Sequence, residues 1–370
     1  MTFTTTAALV EEAGGQFNIE QVELDDIRQD EVLVRMVAAG LCHTDLSVRA
    51  GHTGYAFPGI LGHEGAGVVE KVGSNVTRVR PGDHVALTFT SCGTCPHCRG
   101  GHPAYCSTWV PANLFNNGLR ADGTAPVSRG SSPVTARFFG QSSFSAHAVV
   151  DERSVVPLGD DLPLHLMAPL GCGVQTGAGT VLNILRPTAG QSIAVFGTGA
   201  VGLAAIMAAR LTSAGSIIAV DRVQSRLDLA LELGATHAIN SETADLAGEL
   251  AAITNGRGLD HAVDTAAHPA LTRIITDNLA TFGTCAVVGA PPPGTELSVD
   301  MSALLVGKKI LGVTEGDSEP LTFIPALADL YRRGALPLDR IVKTYKFSEI
   351  NQAAEDAKNG SVIKPVLLFD

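Results

Sequence analysis

The sequence predicts an α/β protein in two parts: a strand-rich domain drawn from both ends of the chain and, between them, a doubly wound parallel sheet. Three observations carry that prediction. Short apolar strands alternate with helical segments from residue 192 to residue 288. The turn Gly197-Thr198-Gly199-Ala200-Val201-Gly202 joins the first of these strands to its helix. The first 150 residues instead alternate short apolar-rich runs with glycines. A length of 370 residues suits two domains, and 45% hydrophobic residues can fill large cores.

Residues 31–37, 66–72 and 84–89 read as strands, since β-branched and apolar residues dominate them and turn residues separate them. Residues 107–140 hold Asn116-Asn117-Gly118, Asp122-Gly123 and Arg129-Gly130-Ser131-Ser132-Pro133, and read mostly as loop. Residues 144–150 return to strand. In the middle of the chain, 192–196, 216–220, 237–240, 259–263 and 285–288 read as strands, and 200–211, 224–233, 246–253 and 271–279 as helices. Helices near 323–332 and 350–358 follow. The expected domains are 1–173 together with 315–370, and 174–314.

Lys and Arg number 26 against 37 Asp and Glu, a net charge of −11. That balance argues against nucleic acid, whose binders carry basic faces. No apolar stretch is long enough to span a membrane; the run at 203–211 is short and Arg210 interrupts it. The opening residues do not resemble a secretory leader, so a reducing, cytoplasmic setting is expected. Seven cysteines, an odd number, fit metal ligation better than pairing.

Cys92, Cys95, Cys98 and Cys106 form a C-x2-C-x2-C-x7-C run, which suits a closed tetrahedral zinc site; a disulfide cluster is the alternative. The 197–202 turn follows a strand, opens a helix and has Asp221 at the end of the next strand, the context of a dinucleotide-binding Rossmann turn. The helix N-terminus offers N–H groups to pyrophosphate. Asp221 would accept from ribose hydroxyls and repel a 2′-phosphate, which favours NAD over NADP. Cys42, His63 and Cys172 each stand in glycine-rich turns. Two thiols and one imidazole would leave a fourth position open, as catalytic zinc requires. Spacing alone leaves each of them either a ligand or a buried thiol or core histidine. Cys285, in an apolar run, reads as a buried small hydrophobe.

Gly62-His63-Glu64-Gly65-Ala66-Gly67-Val68-Val69, the four-cysteine run and the 197–202 turn occur in the order found in the zinc-containing alcohol dehydrogenases of the medium-chain dehydrogenase/reductase superfamily, and the chain resembles that family essentially throughout. The resemblance implies a GroES-like catalytic domain beside the Rossmann domain, hydride transfer between NAD and a primary alcohol or aldehyde, and two zinc ions per chain. Cys42, His63 and Cys172 would hold the catalytic zinc, with Glu64 behind it and able to exchange onto it. Asp45 resembles the carboxylate that orients His63. Thr44 matches the hydroxyl that relays the substrate proton. His43 and Lys364 match cationic positions beside the pyrophosphate, and Arg226 a basic residue near the adenosine ribose. Ala200, Val201, Arg222, Val288 and Ala290 match further cofactor positions. One departure stands out: many members carry a His five residues after the first ligand, and here that residue is Ser47. His52 or water is the expected substitute. A homo-oligomer, dimer or tetramer, is expected.

Pro103-Ala104-Tyr105-Cys106, the run from Arg137 to Phe144, and the run from Gly312 to Ser318 resemble the aryl-alcohol (benzyl-alcohol) dehydrogenase branch. That resemblance puts Phe89, Phe138, Phe139, Ala290 and Thr314 around the substrate; plain core packing is the alternative for the aromatic residues. Two rivals follow. A formaldehyde dehydrogenase acting on thiol adducts would need a charged anchor for the thiol's carboxylates. A catalytically silent NAD-binding protein would be favoured by loss of a zinc ligand, and all three are present.

Overall fold

The computed structural model describes residues 3–115, 118–120 and 122–369; Asn116 and Asn117 of the Asn-Asn-Gly turn lie outside them. The chain divides into two compact units, Met1–Cys172 with Glu319–Arg332 and Leu338–Asp370, and Gly173–Ser318 with Arg333–Pro337.

In the first unit the strand Glu31–Gly40 is the axis of a seven-stranded sheet. It pairs antiparallel with Glu64–Val72, His147–Asp151 and Lys364–Leu368. The register puts Gly40 opposite Glu64 on one side and Val366 on the other. A side chain at Gly40 is excluded: its Cβ would lie 2.1 Å from Glu64 Oε2. The ladder thus brings residues 64 and 364, distant in sequence, to the same place. A second, five-stranded sheet contains Phe3–Val10 and Asn18–Leu24 and ends in the short hairpin Val127–Arg129 and Ser132–Pro133. That hairpin lies in the segment expected to be mostly loop, whose described residues also form the short helices Pro111–Phe115 and Phe138–Gly140. Residues 144–150 differ from expectation, since strand begins only at His147. Phe144 and Ala146 donate instead to the carbonyls of Leu61 and Thr6, and Ser142 before them has φ 50°. Phe17, Phe89, Phe138 and Phe144 lie in the core.

The second unit is a six-stranded parallel sheet in the order His237–Asn240, Ser216–Asp221, Ser192–Phe196, Leu259–Asp264, Leu279–Val287, Lys309–Gly312. Ser192–Phe196 is buried along its whole length, as a parallel strand covered on both faces should be. The strand order reverses beside it, where doubly wound sheets bind ligands at their carboxyl ends. Leu279–Val287 is longer than the strand expected at 285–288 and starts directly after the helix Pro269–Asp277.

Candidate functional site

Cys42 ends the strand–turn step after Glu31–Gly40 and is the N-cap of the helix His43–Arg49. Asp45, fully buried, accepts the Cys42 N–H at 2.9 Å through Oδ2. Its Oδ1 accepts from the Gly62 N–H and from His63 Nδ1, both at 3.0 Å. One carboxylate therefore caps the helix, fixes the turn before His63 and orients the imidazole. Candidate ligand atoms of Cys42, His63, Glu64 and Cys172 all lie within 4.8 Å of one another. A hydrogen bond from Cys172 holds the Cys42 thiol well below its usual range against burial, helped by the charge of Lys364, which favours the thiolate that metals bind.

Cys42 Sγ donates to Thr44 Oγ1 at 3.8 Å. Ser47 Oγ and His52 Nδ1 are 3.3 Å apart at the surface, and His43 is exposed. Lys364, expected beside the pyrophosphate, is 2% exposed, and its Nζ donates to Glu64 Oε1 and Oε2 at 2.8 and 2.9 Å. Burial works against the ammonium, but the Glu64 carboxylate outweighs it and Lys364 stays charged. Its charge is already matched inside the first unit. Phe139 stacks on His63 with ring centroids 4.5 Å apart, and Phe138 meets the imidazole edge-on at 5.2 Å. Trp109, the only tryptophan, meets Phe139 edge-on at 5.5 Å and tilts toward Phe89 at 6.5 Å. Its rarity and its place just after the cysteine run were the sequence signals that could have drawn it into the site. Phe89 also lines a cavity of about 280 Å³ with Arg78, Cys98 and Arg153.

All seven cysteines are free. The sulfurs of Cys92, Cys95, Cys98 and Cys106 lie within 4.8 Å of one another. Backbone N–H groups point at them: Cys95 donates to Cys92 at 3.3 Å, Cys98 to Cys95 at 3.5 Å and Cys92 to Cys106 at 3.2 Å. The amides of Cys98 and Ser107 push the Cys95 thiol down to about 5, and those of Thr94 and Cys95 push Cys92 to about 7. Burial pushes the Cys98 thiol up to about 12. Cys285 is fully buried in its strand, and burial raises its thiol to about 12.

In the second unit the helix Ala200–Ala209 starts at the glycine turn. A Cβ on Gly202 would meet the Gly197 carbonyl oxygen at 1.9 Å, whereas one on Gly199 would meet nothing within 4 Å. The third glycine thus serves close packing, and the middle one faces open space. Asp221 Oδ2 accepts from the Thr198 N–H and hydroxyl at 2.6 and 2.8 Å, and Oδ1 from the Arg222 and Val223 amides at 2.8 and 3.0 Å. Burial opposes its charge, but the Thr198 and Val223 hydrogen bonds and nearby Arg226 leave it below the usual carboxylate range. Val201 is half-buried, Arg222 exposed, and Val288 donates its N–H to the Asp264 carbonyl at 2.8 Å. Ala290 is exposed and Thr314 half-buried.

Residues 28–160 match the alcohol dehydrogenase GroES-like domain family, and residues 200–330 the zinc-binding dehydrogenase family. A geraniol dehydrogenase of Castellaniella defragrans is 42% identical over 365 residues, covering 98% of this chain and 97% of that one. The chain belongs to the zinc-containing alcohol dehydrogenases. Among solved structures, this alcohol dehydrogenase is similar to the benzyl alcohol dehydrogenase of Acinetobacter calcoaceticus, at 42% identity and a TM-score of 0.95 with both chains fully covered. It is also similar to an alcohol dehydrogenase zinc-binding domain protein of Burkholderia ambifaria, at 48% identity and 0.97 over the same coverage. The residues of the dehydrogenase fit the metal its family implies. His63 Nε2 is buried with no hydrogen-bond partner among the described residues, beside two thiols. Among the described residues no helix is long and apolar enough to cross a membrane.

Proposed function

We propose that this alcohol dehydrogenase interconverts aromatic or allylic primary alcohols and their aldehydes with NAD, using one zinc at Cys42, His63 and Cys172 and a second in the four-cysteine loop. The observation that carries the substrate class is the aromatic cluster at the metal site: Phe139 stacked on His63 and continued by half-buried Trp109, with Phe138 and Phe89 packed behind them in the core. A flat, conjugated substrate buries its ring there, and each Å² removed from water contributes about 25 cal/mol. The relatives named for geraniol and for benzyl alcohol support the same class.

When bound, zinc supplies a Lewis acid to the alcohol oxygen and the dinucleotide a hydride acceptor. The chain does the rest. Asp45 accepts from His63 Nδ1 and leaves Nε2 for the metal. Thr44 Oγ1 takes the hydroxyl proton. The Ser47–His52 pair, 3.3 Å apart at the surface, is its outlet to solvent. Phe138, Phe139 and Trp109 keep water away from the reacting carbon. Asp221, ionised at neutral pH, repels a 2′-phosphate and so selects NAD. Seven free thiols suit a cytoplasmic setting. The chain works as a homodimer through the edge strand Lys309–Gly312, beside which Phe282, Met301 and Leu305 are 75%, 79% and 87% exposed.

Turnover across benzyl, terpenoid allylic and short aliphatic alcohols tests the substrate class. We expect benzylic or allylic alcohols to exceed ethanol in kcat/KM by at least about a hundredfold, the discrimination a few kcal/mol of apolar binding gives. Ethanol as the better substrate would defeat this assignment.

A further inference from the structure

Two buried polar side chains link the segments that carry His63, Glu64 and Cys172. Gln141 is 1% exposed. Its Oε1 accepts the Gly65 N–H at 3.0 Å, and its Nε2 donates to the carbonyls of His63 at 2.9 Å and Thr88 at 3.3 Å. The amide therefore grips the backbone on both sides of Glu64. Thr88, fully buried, donates from Oγ1 to the Gly171 carbonyl at 2.8 Å, one residue before Cys172. Two side chains thus form a continuous path from the His63 backbone to the Cys172 turn. Gln141 is anchored in its turn, since its own N–H donates to the Phe138 carbonyl at 3.0 Å and the neighbouring Ser143 N–H to Gly62 at 2.9 Å.

We infer that Gln141 and Thr88 are positioning residues for the catalytic metal: they fix the spacing of the His63 and Cys172 backbones and so set how firmly the ion is held. The inference rests on the zinc reading proposed above. A side-chain amide suits the first role because it accepts from one N–H while donating to two carbonyls. A carboxylate of the same shape keeps the bond from Gly65 but turns an oxygen toward two carbonyl oxygens. A valine at position 88 keeps the volume of threonine and loses the tie to Gly171.

The test follows zinc release from the full-length, zinc-loaded enzyme into a chromogenic chelator, with turnover and the melting midpoint measured in parallel. Wild type should hold two zinc ions, and loss of one of them should track loss of turnover. In Gln141→Glu and in Thr88→Val, release of that ion should speed up by about 10- to 100-fold, the usual effect of removing outer hydrogen bonds at a metal site. The ion of the four-cysteine loop should leave at the wild-type rate, KM for NAD should hold, and Thr88→Ser should restore slow release. Thr88→Val deletes a single hydroxyl, so it decides the matter even if Gln141→Glu does not fold. Release within twofold of wild type in folded variants, whatever the melting midpoint does, overturns the inference and leaves the zinc reading standing. A wild type holding fewer than two zinc ions overturns both.

Discussion

Asp45 shows how much one carboxylate carries when it is fully buried: it caps a helix through Cys42, pins Gly62 and orients His63. Asp45→Asn keeps the shape but sets an N–H₂ against one of three donors. Zinc affinity or turnover should fall by about 10- to 100-fold. Zinc content after dialysis against a graded chelator checks this, and wild-type retention would show that the imidazole needs no carboxylate. Asp221 is the other single residue with a clear consequence. Asp221→Gly should shrink a wild-type preference for NAD of roughly tens- to hundredfold, the scale of one close charge repulsion. Comparison of kcat/KM for NAD and NADP reads it; equal use of both by the wild type would remove the charge argument. Most residues at this scale announce themselves in sequence because they sit in short motifs, as Cys42, His63 and Asp221 do. Lys364 does not announce its pairing with Glu64. Its ion pair with Glu64 spans most of the chain and exists because Gly40 pairs with both flanking strands. Gln141 and Thr88 are equally silent in sequence, because their role lies in backbone groups that they hold.

Elements differ in what makes them legible. The alternating strands and helices of the second unit were readable because most of the strands are short apolar runs bounded by turn residues; the helix Ala200–Ala209, buried nearly all round, carries no period of its own and is marked instead by the glycine turn before it. Residues 144–146 lie outside the strand expected there because apolar composition cannot tell a ladder residue from one whose N–H bonds to a different segment, as that of Phe144 does to Leu61. The four-cysteine loop is legible from spacing, and the structure explains why it needs a metal. Its helical turn Pro96–Arg99 has no buried residue, whereas Pro103 and Ala104 in the turn Pro103–Tyr105 tie the end of the loop to the core. The order of its exposed part, residues 92–99, must come from metal binding, which at such sites is also folding energy. Cys95→Ser should therefore lower the melting midpoint and expose the loop to protease. Cys172→Ser should abolish turnover with the loop intact and one zinc retained. Calorimetry, limited proteolysis and metal analysis separate the two, and identical behaviour of both variants would mean the two sites do not have distinct roles.

At the scale of the whole molecule, the fold class was legible from periodicity and the glycine turn, but assembly was not, since surfaces carry no period. Lys309–Gly312 is an open edge of the six-stranded sheet, and open edges invite pairing unless charge or proline blunts them. Beside it Phe282 is 75% exposed and has φ 62°, a conformation costly for a bulky side chain. Met301, Leu305 and Val306 add 79%, 87% and 45% exposed apolar side chains. An exposed apolar group of this size is unusual on a monomer, and a net charge of −11 would otherwise keep copies apart. Edge pairing between two copies would cover these residues and extend the sheet across the interface. Wild type should sediment at about twice the single-chain mass of 38.3 kDa. Met301→Glu combined with Leu305→Glu should yield monomer, because burying two carboxylates per copy without partners opposes association. Zinc content should not change in that monomer, since both metal clusters lie in the first unit. A wild type that sediments as a monomer, or a double variant that still pairs, would place the contact elsewhere or abolish it.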